Sequence, residues 1–300
     1  MKELAVSVVI PTKDRCELLR RTLDCLGRQE GYSEPFEVIV ADDGSSDGTA
    51  GFLGAPSGFS SFTLRSVRLA GAGPATARNR AIALATAPRV LLLGDDTFPG
   101  PDALAQHGVA AAGGEVGVQG RIEWDPGEPV TPVMRFLAPE GPQFYFSGLE
   151  RGRPIPYTAL YASNLSAPTR WFRDDPFDES FSAAAFEDTE LGYRWARKGR
   201  RVVYWDQAVC HHHHPYASLE PFLVRQRLAG RGARYAARLH PGMLGKTVLQ
   251  PLAVGILFAA RYGLRRLLGN AADAELWDLQ VRKAFLQGFL GGIRQPALRR

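Results

Sequence analysis

Three groups of acids and one run of histidines carry the chemistry this sequence could do. Asp95 and Asp96 close the apolar run "RVLLLG". Two adjacent carboxylates repel each other, so a strand that ends on them needs solvent or a positive partner there. A divalent cation that bridges to phosphate oxygens would serve; an exposed turn in "DDTFPGPD" is the alternative. Asp42 and Asp43 end "VIVADD" in the same way. A carboxylate at that place can accept from a nucleobase imide or a ribose hydroxyl, with Gly44 allowing close approach and Asp47 capping the helix that follows. Glu187, Asp188 and Glu190 open a helix. Acids there complement the helix dipole, and beside the small and aromatic residues of "AAAFED" they suit a general base lining a pocket. Four histidines, His211 to His214, directly follow the strand-like "RVVYWDQAVC". In an extended segment His211 and His213 share one face and could ligate a metal as neutral imidazoles.

The elements that must position these groups are legible in the first half of the chain. "LAVSVVIPT", "PFEVIVADD", "FTLRSVRLA" and "RVLLLG" read as strands. "RCELLRRTLDCLGRQ", with Leu18, Leu19, Leu23 and Leu26 at helical spacing, and "GPATARNRAIALATA" read as helices between them. Alternation at this spacing predicts an α/β fold with a mostly parallel central sheet flanked by helices. Ligands of such sheets bind at the carboxyl ends of strands, and those ends carry Asp14, Asp42 with Asp43, and Asp95 with Asp96. From Glu115 to Pro156 the pattern loosens into strand and Pro/Gly-rich loop. A helix begins near Glu187, with Leu191 and Trp195 on one face and Gly199 as its stop. Beyond Pro215 the chain reads as a basic helical tail, which divides it into 1–215 and 216–300.

The bulk composition narrows the function classes. With 45% apolar and 22% charged residues the chain is globular, and 300 residues supply ample core. The net charge of +5 is concentrated from Arg225 to Arg300, where acids are few. This favours an anionic surface as a neighbour of the tail, or else solvated helix faces. Three cysteines without metal-type spacing fit a reducing cytosol. The first residues read as a strand, and "PLAVGILFAA" is far shorter than the ~20 residues of a spanning helix, so the chain is expected to be soluble or peripheral. Aromatics do not interleave with the basic residues in a recognisable motif, which argues against a nucleic-acid partner. "GAGPATA" follows a strand and opens a helix, as a dinucleotide fingerprint does, which suggests a dinucleotide-dependent oxidoreductase. Thr76, however, stands where its third Gly or Ala belongs, and that reading leaves "FEDTELGYR" and the histidines without a role. A degenerate module that only binds nucleotide is a further alternative, against which stands the presence of both acidic clusters.

Six segments together carry a resemblance: "SVVIPTKDR", "VIVADDGSSDGT", "GPATARNRAIALA", "VLLLGDDTFPGPDAL", "FDESFSAAAFEDTELGYRWARKG" and "AVCHHHHP". Their order and approximate spacing, over about Val6 to Pro215, resemble the family 2 glycosyltransferases. The resemblance implies a single nucleotide-binding domain of the GT-A type and inverting transfer of a sugar from a nucleoside-diphosphate sugar. The acceptor would be a glycan, a lipid-linked molecule or a small molecule. It implies that Pro11, Thr12, Asp14, Asp42 and Asp43 surround the nucleoside, that Arg78 supports the nucleotide, and that Asp95 meets the ribose or sugar. Asp96 would coordinate Mg2+ or Mn2+ on the diphosphate, with one histidine of the run, His211 in this reading, beside it. Gly94 stands where the family often has a first acid, which leaves the division of labour between Asp95 and Asp96 open. Asp188 would be the general base, with Glu187 next to it in the acceptor pocket. Such an enzyme would work in the cytoplasm, with the tail resting on the inner face of the membrane.

Overall fold

Strands covered on both faces are apolar at nearly every position, and the first, second and fourth strands of this chain are built that way. The computed structural model describes residues 3–55, 58–181, 183, 185–267 and 273–291. β1 (Val6–Thr12), β2 (Phe36–Asp42), β3 (Thr63–Arg68) and β4 (Arg89–Leu93) pair in parallel, in the order β3-β2-β1-β4. Side chains alternate between the faces with a period of two. Val8, Ile10, Val38, Val40, Leu91 and Leu93 therefore join Leu19, Leu23 and Leu26 of α1 (Cys16–Gly27) in one buried cluster. Val9, Ile39, Ala41, Val90 and Leu92 point the other way. They meet Ala77, Ala81 and Ile82 of α3 (Pro74–Leu84), which follows the short α2 (Thr49–Gly54).

The sheet then changes direction. After the short β5 (Thr97–Pro99), α4 (Ala103–Ala111), β6 (Gly117–Trp124) and α5 (Pro132–Leu137), strand β7 (Asn164–Pro168) runs antiparallel between β4 and β6. Helices α6 (Thr169–Asp174) and α7 (Glu187–Arg197) precede β8 (Val202–His212), which lies parallel to β6 and takes β5 along its other edge. The eight-stranded sheet, mostly parallel and flanked by helices, is the α/β architecture expected from the strand–helix alternation. Gly199, the expected stop of α7, has φ +74, a backbone that L side chains rarely adopt.

Helix α7 is anchored by Leu191 and Trp195, neither of which has any exposure. The Trp195 ring lies edge-on to Trp171, at 5.3 Å between centroids, and to Phe172 at 5.0 Å. Trp195→Ala is expected to cost about 3–5 kcal/mol in urea unfolding, because the cavity cannot close around rigid rings. A loss under about 1 kcal/mol would contradict this packing.

The chain divides into two compact units, Met1–Pro215 and Tyr216–Arg300. The second consists of α8 (Glu220–Leu239), α9 (Gln250–Leu267) and α10 (Asp273–Leu290), with two short helical turns between α8 and α9. Backbones of α8 and α10 approach closely where both lack a side chain. A Cβ on Gly230 would strike the Phe285 carbonyl, and one on Gly288 the Arg227 carbonyl. Residues 268–272 and 292–300, part of the basic tail read from the sequence, lie outside the described residues.

Candidate active site

The carboxyl ends of β1, β2 and β4 meet at one place because these strands are neighbours in the sheet. Asp95 and Asp96 follow β4 and are 5% and 9% exposed, so they do not form a solvated turn. Thr12, at the end of β1, donates its hydroxyl to Asp95 Oδ2 at 2.8 Å. Arg15 supplies the positive partner: its Nη1 donates to Asp95 Oδ1 at 3.0 Å and to Asp96 Oδ2 at 2.7 Å. Burial, and then the Asp96 charge, push the Asp95 carboxyl up to about 6 against the opposing pull of Arg15 and Thr12. Gly94 leaves room for this arrangement. A Cβ there would lie 2.7 Å from Thr97 Oγ1 and 2.8 Å from Asp96 Oδ1, so an acid at this position would displace the Asp96 carboxylate.

The histidine run reaches the same place. His213 N donates to the Asp96 carbonyl at 2.8 Å, which fastens the end of β8 to the acids. Asp96, His212 and His214 each present one ligand atom within 4.8 Å of the others. The two imidazoles stack at 5.6 Å, and His212 Nε2 is 3.7 Å from Asp96 Oδ2. The expectation for His211 is corrected here. Alternation along β8 puts it on the face opposite to His212, and His213, just beyond the strand end, meets Asp125 Oδ2 through its Nδ1 at 3.0 Å. Asp125 is 2% exposed and takes a two-pronged contact from Arg21, at 2.6 and 2.8 Å. These bonds and Gly127 N hold its carboxyl at about 2, against the opposing effect of burial. The Asp125–Arg21 pair thereby fixes the central histidine and, through it, the two that face Asp96.

Asp42 and Asp43 are buried at the end of β2. Asp42 Oδ1 accepts from Ser45 N at 2.8 Å, and its Oδ2 lies 3.3 Å from Arg68 Nη1. Asp43 accepts from Ala72 N at 2.6 Å and from Gly73 N at 2.9 Å. The amides of the "GAGPATA" loop are thus taken by a protein carboxylate, and the helix they open is the third and not the first. Both facts disfavour a dinucleotide fingerprint there. Asp14 has φ +52 and accepts from Ser46 N and Oγ at 2.6 and 3.0 Å, bonds that hold its carboxyl below the usual range. It joins the loops after β1 and β2. The N-cap positions of α1 and α2 are Arg15 and Gly48, while Asp47 accepts from the first amide of each helix, Cys16 N at 3.0 Å and Thr49 N at 2.9 Å.

Glu187 and Asp188 open α7 after Phe186, whose φ of +81 is a strained backbone for an aromatic residue. Arg78 does not stand free toward a nucleotide. It is buried, its Nη1 donates to Glu187 Oε1 at 2.7 Å, and its guanidinium lies 5.3 Å from the Phe177 ring centre. Glu190 is bound to Arg194 one turn on. Asp188 accepts from Thr189 N at 2.7 Å and from Ala162 N at 3.4 Å. Burial, followed by the neighbouring Glu187 charge, raises its carboxyl to about 6.

One aromatic wall connects the two acidic clusters. Phe144 stands edge-on to His212 and to Tyr161, each at 5.3 Å between centroids. Tyr161 immediately precedes Ala162, the residue bonded to Asp188, and burial and the Asp188 charge push its hydroxyl up to about 12. Trp124 flanks His212 at 5.8 Å. Arg15, His212, His214, Phe144 and Tyr161 received no role from the sequence.

The fold is an α/β domain of the GT-A type. The sequence model described as "Glycosyl transferase family 2" matches residues 7–181, so the chain belongs to that family. It is 32% identical over 215 residues to a validoxylamine A glucosyltransferase of Streptomyces hygroscopicus subsp. jinggangensis, covering 63% of this chain and 50% of that protein. It is 39% identical over 112 residues to the amylovoran biosynthesis glycosyltransferase AmsB of Erwinia amylovora, 36% of each chain. The chain therefore spans about half, or less, of the curated relatives it matches. Among solved structures it is similar to the mannosyltransferase PcManGT from Pyrobaculum calidifontis in complex with GDP-Man and Mn2+. The TM-score is 0.67 at 18% identity, over 95% of this chain and 87% of that one. It is also similar to S. aureus TarS 1-349 in complex with UDP, with TM-score 0.56 and 18% identity over 97% and 93%.

Proposed function

We propose that the chain transfers a sugar from a nucleoside-diphosphate sugar to an acceptor hydroxyl, in one in-line displacement that inverts the anomeric centre. The observation that carries this reading is the wall Tyr161–Phe144, with the half-buried Asp188 carboxyl, its pKa raised, at one end and a carboxylate–imidazole group at the other. Asp96, His212 and His214 would hold the cation, and one carboxylate with two imidazoles suits Mn2+ better than Mg2+, which prefers oxygen ligands. A cation bound there would neutralise charge on the departing diphosphate. Asp188 would accept the proton that the acceptor hydroxyl loses during attack, since its raised pKa makes it a stronger base than an ordinary carboxylate. Asp95, fixed by Thr12, would meet a ribose or sugar hydroxyl. Pro11, Asp42 and Asp43 would border the nucleoside, with Asp14 joining the loops around it. Arg78 would hold Glu187 in place beside the acceptor. The relatives support the reading at the level of chemistry: two are named glycosyltransferases, and one similar structure contains GDP-Man with Mn2+.

A thermal-shift panel tests it. UDP or GDP should raise the midpoint with Mn2+ present and lose most of that effect in EDTA, because a ligand bound only to the native state stabilises it by mass action. No shift with any nucleoside diphosphate would contradict the reading.

The acceptor side is proposed to include a membrane surface on the cytoplasmic side, where a glycan, lipid-linked or small-molecule acceptor would be met. Residues 216–300 contain fourteen Lys and Arg against four Asp and Glu. No described helix is long and apolar enough to cross a membrane, yet Ile256 and Leu257 of α9 are 63% and 71% exposed. Exposed apolar residues among cations suit an anionic interface. The full chain should co-sediment with phosphatidylglycerol-containing vesicles at low salt, less so at high salt, and not with phosphatidylcholine alone. Failure to sediment with anionic vesicles would reject this surface.

A further inference from the structure

Arg15 is half-exposed, with 41% of its side chain accessible, yet its guanidinium bridges two buried acids of the site, Asp95 and Asp96. It stands at the start of α1 with no side-chain cap bond, so turning it outward would disturb no packed core. The oxygen it holds most tightly, Asp96 Oδ2 at 2.7 Å, is the same atom that faces His212 Nε2 at 3.7 Å. A guanidinium and a divalent cation cannot both use that oxygen without strong mutual repulsion. Arginine also stays charged at every working pH, so protonation cannot resolve the conflict.

We infer that Arg15 is a built-in counter-ion of the cation site, which a divalent metal must displace from Asp96 and which then turns to the diphosphate. This rests on the reading of Asp96, His212 and His214 as metal ligands. In the metal-free protein Arg15 offsets the repulsion between Asp95 and Asp96 and keeps both carboxylates aimed. Once displaced, the guanidinium sits at the carboxyl end of β1, where its planar fork can bond two phosphate oxygens. Metal and diphosphate then assist each other: each binds better when the other has already taken its share of Arg15 or of its partners. Such coupling is reciprocal by linkage.

Arg15→Met and Arg15→Lys, titrated calorimetrically with MnCl2 alone and then with UDP or GDP at saturating Mn2+, test the inference. Removing the competing charge should tighten Mn2+ binding to R15M about tenfold or more, the scale of one charged hydrogen bond. The same variant should bind the nucleoside diphosphate about tenfold more weakly than the wild type. R15K, which keeps a charge but not the fork, should stay near the wild type for Mn2+ and still lose diphosphate affinity. Opposite shifts for the two ligands are the signature, since a merely unfolded or disordered site would lose both. Mn2+ binding to R15M that is unchanged or weaker would overturn the inference and make Arg15 a support for the acids. If only R15M binds Mn2+, competition is shown directly. If neither protein binds Mn2+, the cation site itself is wrong and the inference falls with it.

Discussion

Asp188→Asn is expected to reduce sugar transfer by about 10²–10⁴-fold, the usual worth of a positioned base, with the affinity for the nucleotide sugar left near that of the wild type. Asparagine keeps the shape of the side chain, and its carbonyl can still accept from Thr189 N; its amide group replaces only the oxygen that takes the longer bond, 3.4 Å, from Ala162 N. What it lacks is the ability to take the acceptor proton. The pH profile gives a second, independent signature. Burial and Glu187 raise the Asp188 carboxyl to about 6, and the base works only when ionised. Transfer should therefore reach its plateau well above pH 6, be half-maximal near 6, fall further at lower pH, and lose that inflection in the variant. Glu187→Gln should shift the inflection downward, because it removes the like charge beside the base. An Asn variant with wild-type turnover would end the assignment of Asp188.

The second large effect is expected at Asp96. Asp96→Ala should abolish the Mn2+-dependent part of nucleoside-diphosphate affinity, a loss of about 100-fold or more if the carboxylate is the one charged ligand among two neutral imidazoles. His212→Ala and His214→Ala should follow Asp96→Ala in direction. His211→Ala should leave Mn2+ affinity unchanged, since alternation in β8 turns it to the other face. Asp95→Asn should cost less metal affinity than Asp96→Ala, because Asp95 is bonded to Thr12 and Arg15 and is not one of the three grouped ligands. Calorimetry with and without Mn2+ separates these outcomes. A His211→Ala variant that loses the metal while His212→Ala keeps it would reverse the assignment of faces.

Much of the fold could be read because local pattern and tertiary environment agree. β1, β2 and β4 are apolar at successive positions, so both their strand character and their burial are visible without neighbours. The acids at their ends stand out against that background, and Asp188 stands out for opening a helix beside small residues. Other parts of the site depend on contacts that no local pattern encodes. Arg15 lies 80 and 81 residues from the acids it joins and reaches them because β1 and β4 pair in the sheet. The wall of Phe144 and Tyr161 comes from a Pro/Gly-rich segment with no period to follow. Which histidines reach Asp96 depended on which face of β8 turns toward it and on the course of the chain past the strand end at His212. Gly94 looked like a missing acid, whereas its missing side chain makes space for the Asp96 carboxylate.

The most direct test of the central claim is release of nucleoside diphosphate from a panel of nucleotide sugars, UDP-glucose and GDP-mannose included, by wild type, Asp96→Ala and Asp188→Asn. The predicted result is turnover of at least one donor by the wild type with Mn2+ present, lost in EDTA and in both variants, while Asp188→Asn still binds the donor. Release that persists in EDTA and in Asp96→Ala, or no release from any donor, would contradict it.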